Sequence, residues 1–200
     1  MAGNASIAAG DDGTIGHMAG YGRRATVEDL YRVEDKAELV NGELVVMPAS
    51  GGLHGFAASE VLVSLHAYAR RTRHGLAFGD SVGFLVNLPN RRSFCPDGGF
   101  WTGAPPTRKF YEGAPIFALE VRSEEDYGPV AERVMAGKRA DYFAAGTLVV
   151  WDVDVLRERV VRVYRASDPL KPTVYGSGEH ADAEPAVPGW SMPVSELFPV

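Results

Sequence analysis

A single cysteine, Cys95, in 200 residues rules out an intrachain disulfide and any zinc site built on paired cysteines. No apolar run approaches the ~20 consecutive residues that a membrane-spanning helix needs. The first residues lack a basic segment followed by an apolar one, so the expected location is the cytoplasm. Positive charge is scarce: 20 Lys and Arg stand against 26 Asp and Glu, a formal net charge of -6. That balance argues against a chain whose main task is coating nucleic acid, which rests on neutralising phosphates. His54, His66 and His74 have no HExxH-like spacing, which argues against a zinc hydrolase. No internal repeat and no phosphate-binding glycine loop is apparent.

The hydrophobic set makes up 46% of the chain, enough for one domain with a sizeable core. Residues 1–24 are rich in Gly and Ala with no apolar period, and are expected to form a disordered tail ahead of a single domain over residues 25–200. Thr26, with Asp29 three residues on, reads as the cap of a short helix. Residues 37–47 read as a β-hairpin, because Asn41-Gly42 is the favoured dipeptide of a tight primed turn. In that register Val40 opposes Glu43 and Glu38 opposes Val45. Glu38 is then either a third site acid or a solvated strand acid, since Glu43 shares its face.

Leu53, Ala57, Val61, Leu65 and Tyr68 recur at helical spacing after the breaker Ser50-Gly51-Gly52, predicting a long helix over residues 53–73. Arg70, Arg71 and Arg73 at its end suit the helix dipole or a phosphate, as do Arg91 and Arg92 further on for a backbone contact. His54, at the helix start, reads as a surface residue or a substrate contact. Strands are predicted over residues 76–78, 82–88 and 94–101, with Pro96 marking an edge or bulge that turns Asp97 outward. Gly98-Gly99 leaves room for a ligand or another backbone.

Residues 116–121 are apolar at consecutive positions, as in a strand covered on both faces, and Glu120 interrupts them. A carboxylate there must be paired, protonated or bound to metal. A second long helix is predicted over residues 129–145, from Pro129 to a stop at Gly146. Val130, Val134, Lys138 and Tyr142 form its stripe, so Lys138 either snorkels outward or reaches the acids. Further strands are expected at residues 148–153, 160–165 and 171–175, with Trp190, Met192, Val194, Leu197 and Phe198 pinning the C-terminus to the core. Asp97 and Glu120 on neighbouring strands, followed by Lys138, are the parts needed to hold a hard divalent cation and position a water beside a phosphate.

The run from Ala37 to Leu44, Pro96-Asp97, the run from Leu119 to Ser123, the run from Gly137 to Gly146 and residues 151–154 together resemble the Uma2 family of restriction-endonuclease-like proteins. The resemblance spans residues 26–198. It implies an α/β fold of the PD-(D/E)xK nuclease type, a mixed β-sheet flanked by helices. It also implies Asp97 and Glu120 as metal ligands for Mg²⁺ or Mn²⁺, Lys138 as the catalytic lysine, and Glu38 and His54 as accessory residues. In the compact motif the lysine stands two residues after the second acid, where this chain has Arg122, a candidate phosphate clamp. Glu124, Glu125 and Asp126 depart from the family pattern. The implied partners are nucleic acid, DNA above all, and a second copy of the chain. The rival expectation is a non-catalytic module that binds nucleic acid or protein on the same scaffold, with the acids in structural ion pairs.

Overall fold

The computed structural model describes residues 24–199, so all but Arg24 of the expected tail lies outside the described residues. The chain runs α1 (Val27–Leu30), β1 (Ala37–Val40), β2 (Glu43–Val46), α2 (Gly52–Thr72), β3 (Leu76–Phe78), β4 (Phe84–Leu85), β5 (Ser93–Phe94) and β6 (Gly98–Trp101). It continues through β7 (Tyr111–Glu112), β8 (Phe117–Val121), α3 (Pro129–Ala144), β9 (Val149–Asp154), β10 (Val160–Arg165) and β11 (Asp168–Tyr175). The chain closes with β12 (His180–Asp182), β13 (Ser191–Pro193) and a 3-10 turn, Val194–Leu197.

Six strands form the central sheet in the order β11-β10-β9-β8-β6-β3. Only β8 and β9 run parallel, and α3 is the crossover between them. The other neighbours are antiparallel, which makes this a mixed sheet. Strands β8 and β9 bury side chains on both faces, as the unbroken apolar run predicts. Phe117, Leu119 and Val121, with Val149, Trp151 and Val153, pack against Ala57, Val61, Leu65 and Tyr68 of α2. Trp190, Met192, Val194, Leu197 and Phe198 complete that layer. Each such large side chain contributes roughly 1.5–3 kcal/mol when removed from water. The opposite face carries Ala118 and Val150 and meets Phe78, Phe84, Phe94, Trp101 and Tyr142.

The hairpin forms in the expected register, with Glu38 opposite Val45 and Val40 opposite Glu43. Asn41 and Gly42 both take positive φ, 53° and 80°, as a primed turn requires. Two strand expectations need correction. Residues 82–88 form a strand only at Phe84–Leu85, and residues 94–101 fall in two strands, not one. Pro96 has no N–H to donate and separates them. Strand β5 joins β4 and β7 in a small separate sheet, while β6 enters the central one. Gly98-Gly99 makes room for backbone: a Cβ on Gly99, at φ 152°, would lie 2.1 Å from the Phe117 carbonyl oxygen. This lets β6 press against β8 and carries Asp97 to the end of that pair.

Only the C-terminal half of the stripe expected on α3 faces the sheet, where Lys138 reaches Glu120. Val130 and Val134 are each 67% exposed, and Tyr142 is the one fully buried helix residue. Ion pairs hold the helix inner face alongside the buried Tyr142 ring: Glu132 to Arg122, Lys138 to Glu120, Arg139 to Asp152 and Asp141 to Arg91. An i, i+4 row drifts by about 40° per step, so a row that faces inward at Tyr142 has turned away from the sheet by Val134 and Val130.

Candidate active site

Asp97 enters the site because its backbone N–H donates to the Leu119 carbonyl at 3.0 Å, just before β6 begins pairing with β8. Its Oδ2 accepts the Val121 N–H at 2.8 Å and lies 3.1 Å from His54 Nε2. Its Oδ1 lies 2.6 Å from Lys36 Nζ. Glu120 rises from β8 on the face covered by α3, where Lys138 Nζ lies 2.8 Å from its Oε1 and 2.9 Å from its Oε2. The Tyr142 hydroxyl donates to Oε1 at 2.7 Å. Lys138 also reaches Glu38 Oε1 at 3.0 Å, and Glu38 accepts the Cys95 N–H at 2.9 Å and pairs with Arg91.

The sequence candidates from β1, α2, the β5–β6 break, β8 and α3 are therefore brought into two neighbouring clusters, His54 with Asp97, and Glu38 and Glu120 with Lys138, with the Asp97 charge acting on Glu120 across them. Glu38 is 5% exposed, so it is not the solvated strand acid its shared face with Glu43 allowed. His54 is 8% exposed, not a surface residue. Arg122 does not point a free guanidinium at the site. It is buried, forks onto Asp152 at 2.6 and 2.8 Å, and pairs with Glu132. This corrects its reading as a phosphate clamp, since its donors are spent on carboxylates. Arg91, expected in a backbone-binding patch, is likewise buried between Glu38 and Asp141. The 124–126 cluster folds onto Ser123, whose N–H donates to Asp126 Oδ2 at 2.8 Å.

Sequence reasoning missed Lys36, Asp80, Asp141 and the role of Tyr142. For Lys36 a signal existed. It stands two residues before Glu38, and its carbonyl accepts the Met47 N–H at 2.8 Å, so the hairpin ladder extends to it and the two side chains share a face.

The electrostatics split the two central acids. Burial would raise the Asp97 carboxyl, but the His54 hydrogen bond and the Lys36 charge overcome it and hold the group well below the usual carboxylate range. Burial raises the Glu120 carboxyl, and the nearby Asp97 and Glu38 charges reinforce it against Lys138, leaving it above its ordinary value. Burial opposes the Lys138 ammonium, yet Glu120 and Glu38 keep its pKa raised, so it stays protonated. Burial pushes the Cys95 thiol up to about 12, which leaves it an unreactive neighbour.

The donor set is rich in oxygen, and acids outnumber permanent cations in the network. Glu38, Asp80, Asp97, Glu120 and Asp141 face Lys36, Arg91 and Lys138. That surplus fits an added hard cation. Among the described residues, no three metal-ligating side chains converge, and every oxygen of Asp97 and Glu120 already has a protein partner. Two side-chain carboxylates of this chemistry suit a hard divalent ion, which would have to take the place of the Lys36 ammonium that now occupies Asp97 Oδ1.

Comparison with known proteins bears on the family and the fold. The sequence profile of the Uma2 family, described as "Putative restriction endonuclease", matches residues 25–195. No curated protein matches the chain. A crystal structure titled as a "putative nuclease belonging to DUF820", from Anabaena variabilis, superposes with a TM-score of 0.69 at 17% identity. The superposition covers 86% of this chain and 96% of the other, a likeness of fold. The chain belongs to the Uma2 family, and its fold is that of a restriction-endonuclease-like protein.

Proposed function

We propose that the chain is a divalent-metal-dependent endonuclease that hydrolyses phosphodiester bonds of nucleic acid. The observation that carries this reading is the placement of Asp97 beside Glu120, where β6 meets β8, with Lys138 of α3 on Glu120 and acids in surplus around them. Asp97 and Glu120 would hold Mg²⁺ or Mn²⁺, with water and substrate phosphate as further ligands. When bound, such an ion polarises the phosphoryl group and lowers the pKa of its water.

The roles of the side chains follow from their partners. Lys138 remains an ammonium, so it acts as a donor to a phosphoryl oxygen or to the attacking water, not as a general base. Tyr142 and Lys138 orient the Glu120 carboxylate. His54 and the Val121 N–H fix the Asp97 carboxylate, and Glu38 anchors Lys138 from the other side. A homodimer would present two such sites, one for each strand of a duplex. The test is cleavage of plasmid DNA and of RNA with Mn²⁺ present. Glu120→Gln and Lys138→Met should abolish the cleavage while leaving the circular dichroism spectrum intact, and unchanged cleavage in both removes the assignment.

A second reading has its own support. Because every oxygen of Asp97 and Glu120 is already satisfied by protein groups, the network can stand as a structural ion-pair cluster in a nucleic-acid- or protein-binding module. Nucleic-acid binding that is indifferent to metal and to Asp97→Asn would favour it.

A further inference from the structure

Lys36 is the site residue for which neither the family motif nor the proposed chemistry supplies a task. It lies just before β1, and its side chain is 12% exposed. Its ammonium stands 2.6 Å from Asp97 Oδ1 and 2.6 Å from Asp80 Oδ1. Asp80 follows β3 in a tight turn in which its Oδ1 also accepts the Ser81 N–H at 2.7 Å. The two acids therefore share one ammonium. The other Asp97 oxygen is closed by His54 and the Val121 N–H, so Oδ1 is the atom by which Asp97 can take an ion, and Lys36 sits on it.

We infer that Lys36 is the resident cation of the site, gating metal entry by occupying Asp97 Oδ1, with Asp80 as the carboxylate that keeps the ammonium when a divalent ion takes its place. The inference rests on the proposed metal site at Asp97 and Glu120. Two positive charges on one carboxylate oxygen repel strongly in a partly buried site, so the ion must displace the ammonium to bind. Asp80 is 41% exposed at its side chain and offers the ammonium an anchor at the site rim. In this arrangement the acids are neutralised before metal arrives, which spares the fold an uncompensated buried charge.

The test is calorimetric titration of Mn²⁺ into wild type, Lys36→Met and Lys36→Arg, with circular dichroism to verify folding and Lys36→Gln as the substitute if Lys36→Met does not fold. The expected result is at least tenfold tighter Mn²⁺ binding in Lys36→Met than in wild type, with wild-type affinity retained in Lys36→Arg. Equal or weaker binding in Lys36→Met, beside measurable binding in wild type, overturns the gate and leaves the two-carboxylate site standing. Absence of Mn²⁺ binding in every variant removes the metal site and the gate together.

Discussion

Glu120 and Asp152 lie opposite one another across the parallel pair β8 and β9, yet they answer to different cations. Glu120 takes Lys138 and Tyr142, while Asp152, 1% exposed, takes Arg122 and Arg139. One strand spacing thus separates a site carboxylate from a structural one. Both are gripped by α3, whose adjacent residues Lys138 and Arg139 are the two cations that differ.

The role of Arg122 follows from this division. Removing it by Arg122→Ala leaves Asp152 buried with only Arg139, at 3.4 Å. Breaking such a pair costs roughly 3–5 kcal/mol. A large drop in the urea midpoint is expected, with Arg122→Lys intermediate because the fork is lost while the charge is kept. An unchanged midpoint with lost nucleic-acid binding would instead make Arg122 a phosphate contact.

Local signals were legible wherever one residue type decides the backbone. Asn41-Gly42 predicted the hairpin and its register, Pro96 marked an irregularity although the strand breaks there and Asp97 turns inward, not outward, and Glu120 stood out because it alone interrupts an apolar strand. What stayed hidden depends on contacts between distant residues. His54 looks like a surface residue until β6 and β8 bring Asp97, 43 residues away in sequence, to its ring. Arg91 and Arg122 look like free positive charge until Glu38 and Asp152 are seen beside them. The α3 stripe holds at Lys138 and Tyr142 and fails at Val130 and Val134, which are exposed.

Glu120 should impose a stability penalty on the metal-free protein. Its carboxyl pKa is raised above the ordinary 4.5, so its contribution to stability is fully present below the unfolded value and is lost as pH rises through the folded one. At neutral pH the charged form is therefore the costly one. Glu120→Gln is expected to raise stability by about 1 kcal/mol, the scale of a function-for-stability exchange, and Tm by roughly 2–4 °C. The same variant should lose Mn²⁺ binding. A lower Tm in metal-free buffer would mean that the charge stabilises the fold.

Asp97 and His54 should shape opposite limbs of the stability profile. The Asp97 carboxyl is held below its ordinary 3.8, so its stabilisation is present above that value and lost as pH falls through the lower folded one. Burial would lower the His54 pKa, but its hydrogen bond to Asp97 raises it above 6.5. That contribution is present below 6.5 and fades as pH rises through the folded value. Thermal melts from acid to alkaline pH should show both declines, and His54→Gln should remove the alkaline one. Persistence of that limb in His54→Gln would assign it to another group.

Tyr142 offers the cleanest single-atom test of how Glu120 is held. Its ring stacks on Phe94 at 4.0 Å between centroids, with the planes 14° apart, so Tyr142→Phe keeps the packing and removes only the hydroxyl. Glu120 Oε1 then loses its donor at 2.7 Å and keeps Lys138. A lost hydrogen bond to a charged group costs roughly 1.5–3 kcal/mol, so the urea midpoint should fall. The hydroxyl bond favours the ionised carboxylate, so its loss should move the Glu120 titration to still higher pH. Carbon-13 NMR of the Glu120 carboxyl reads this shift directly, without any assay of activity. A titration that does not move would mean that Lys138 alone fixes the charge state of Glu120.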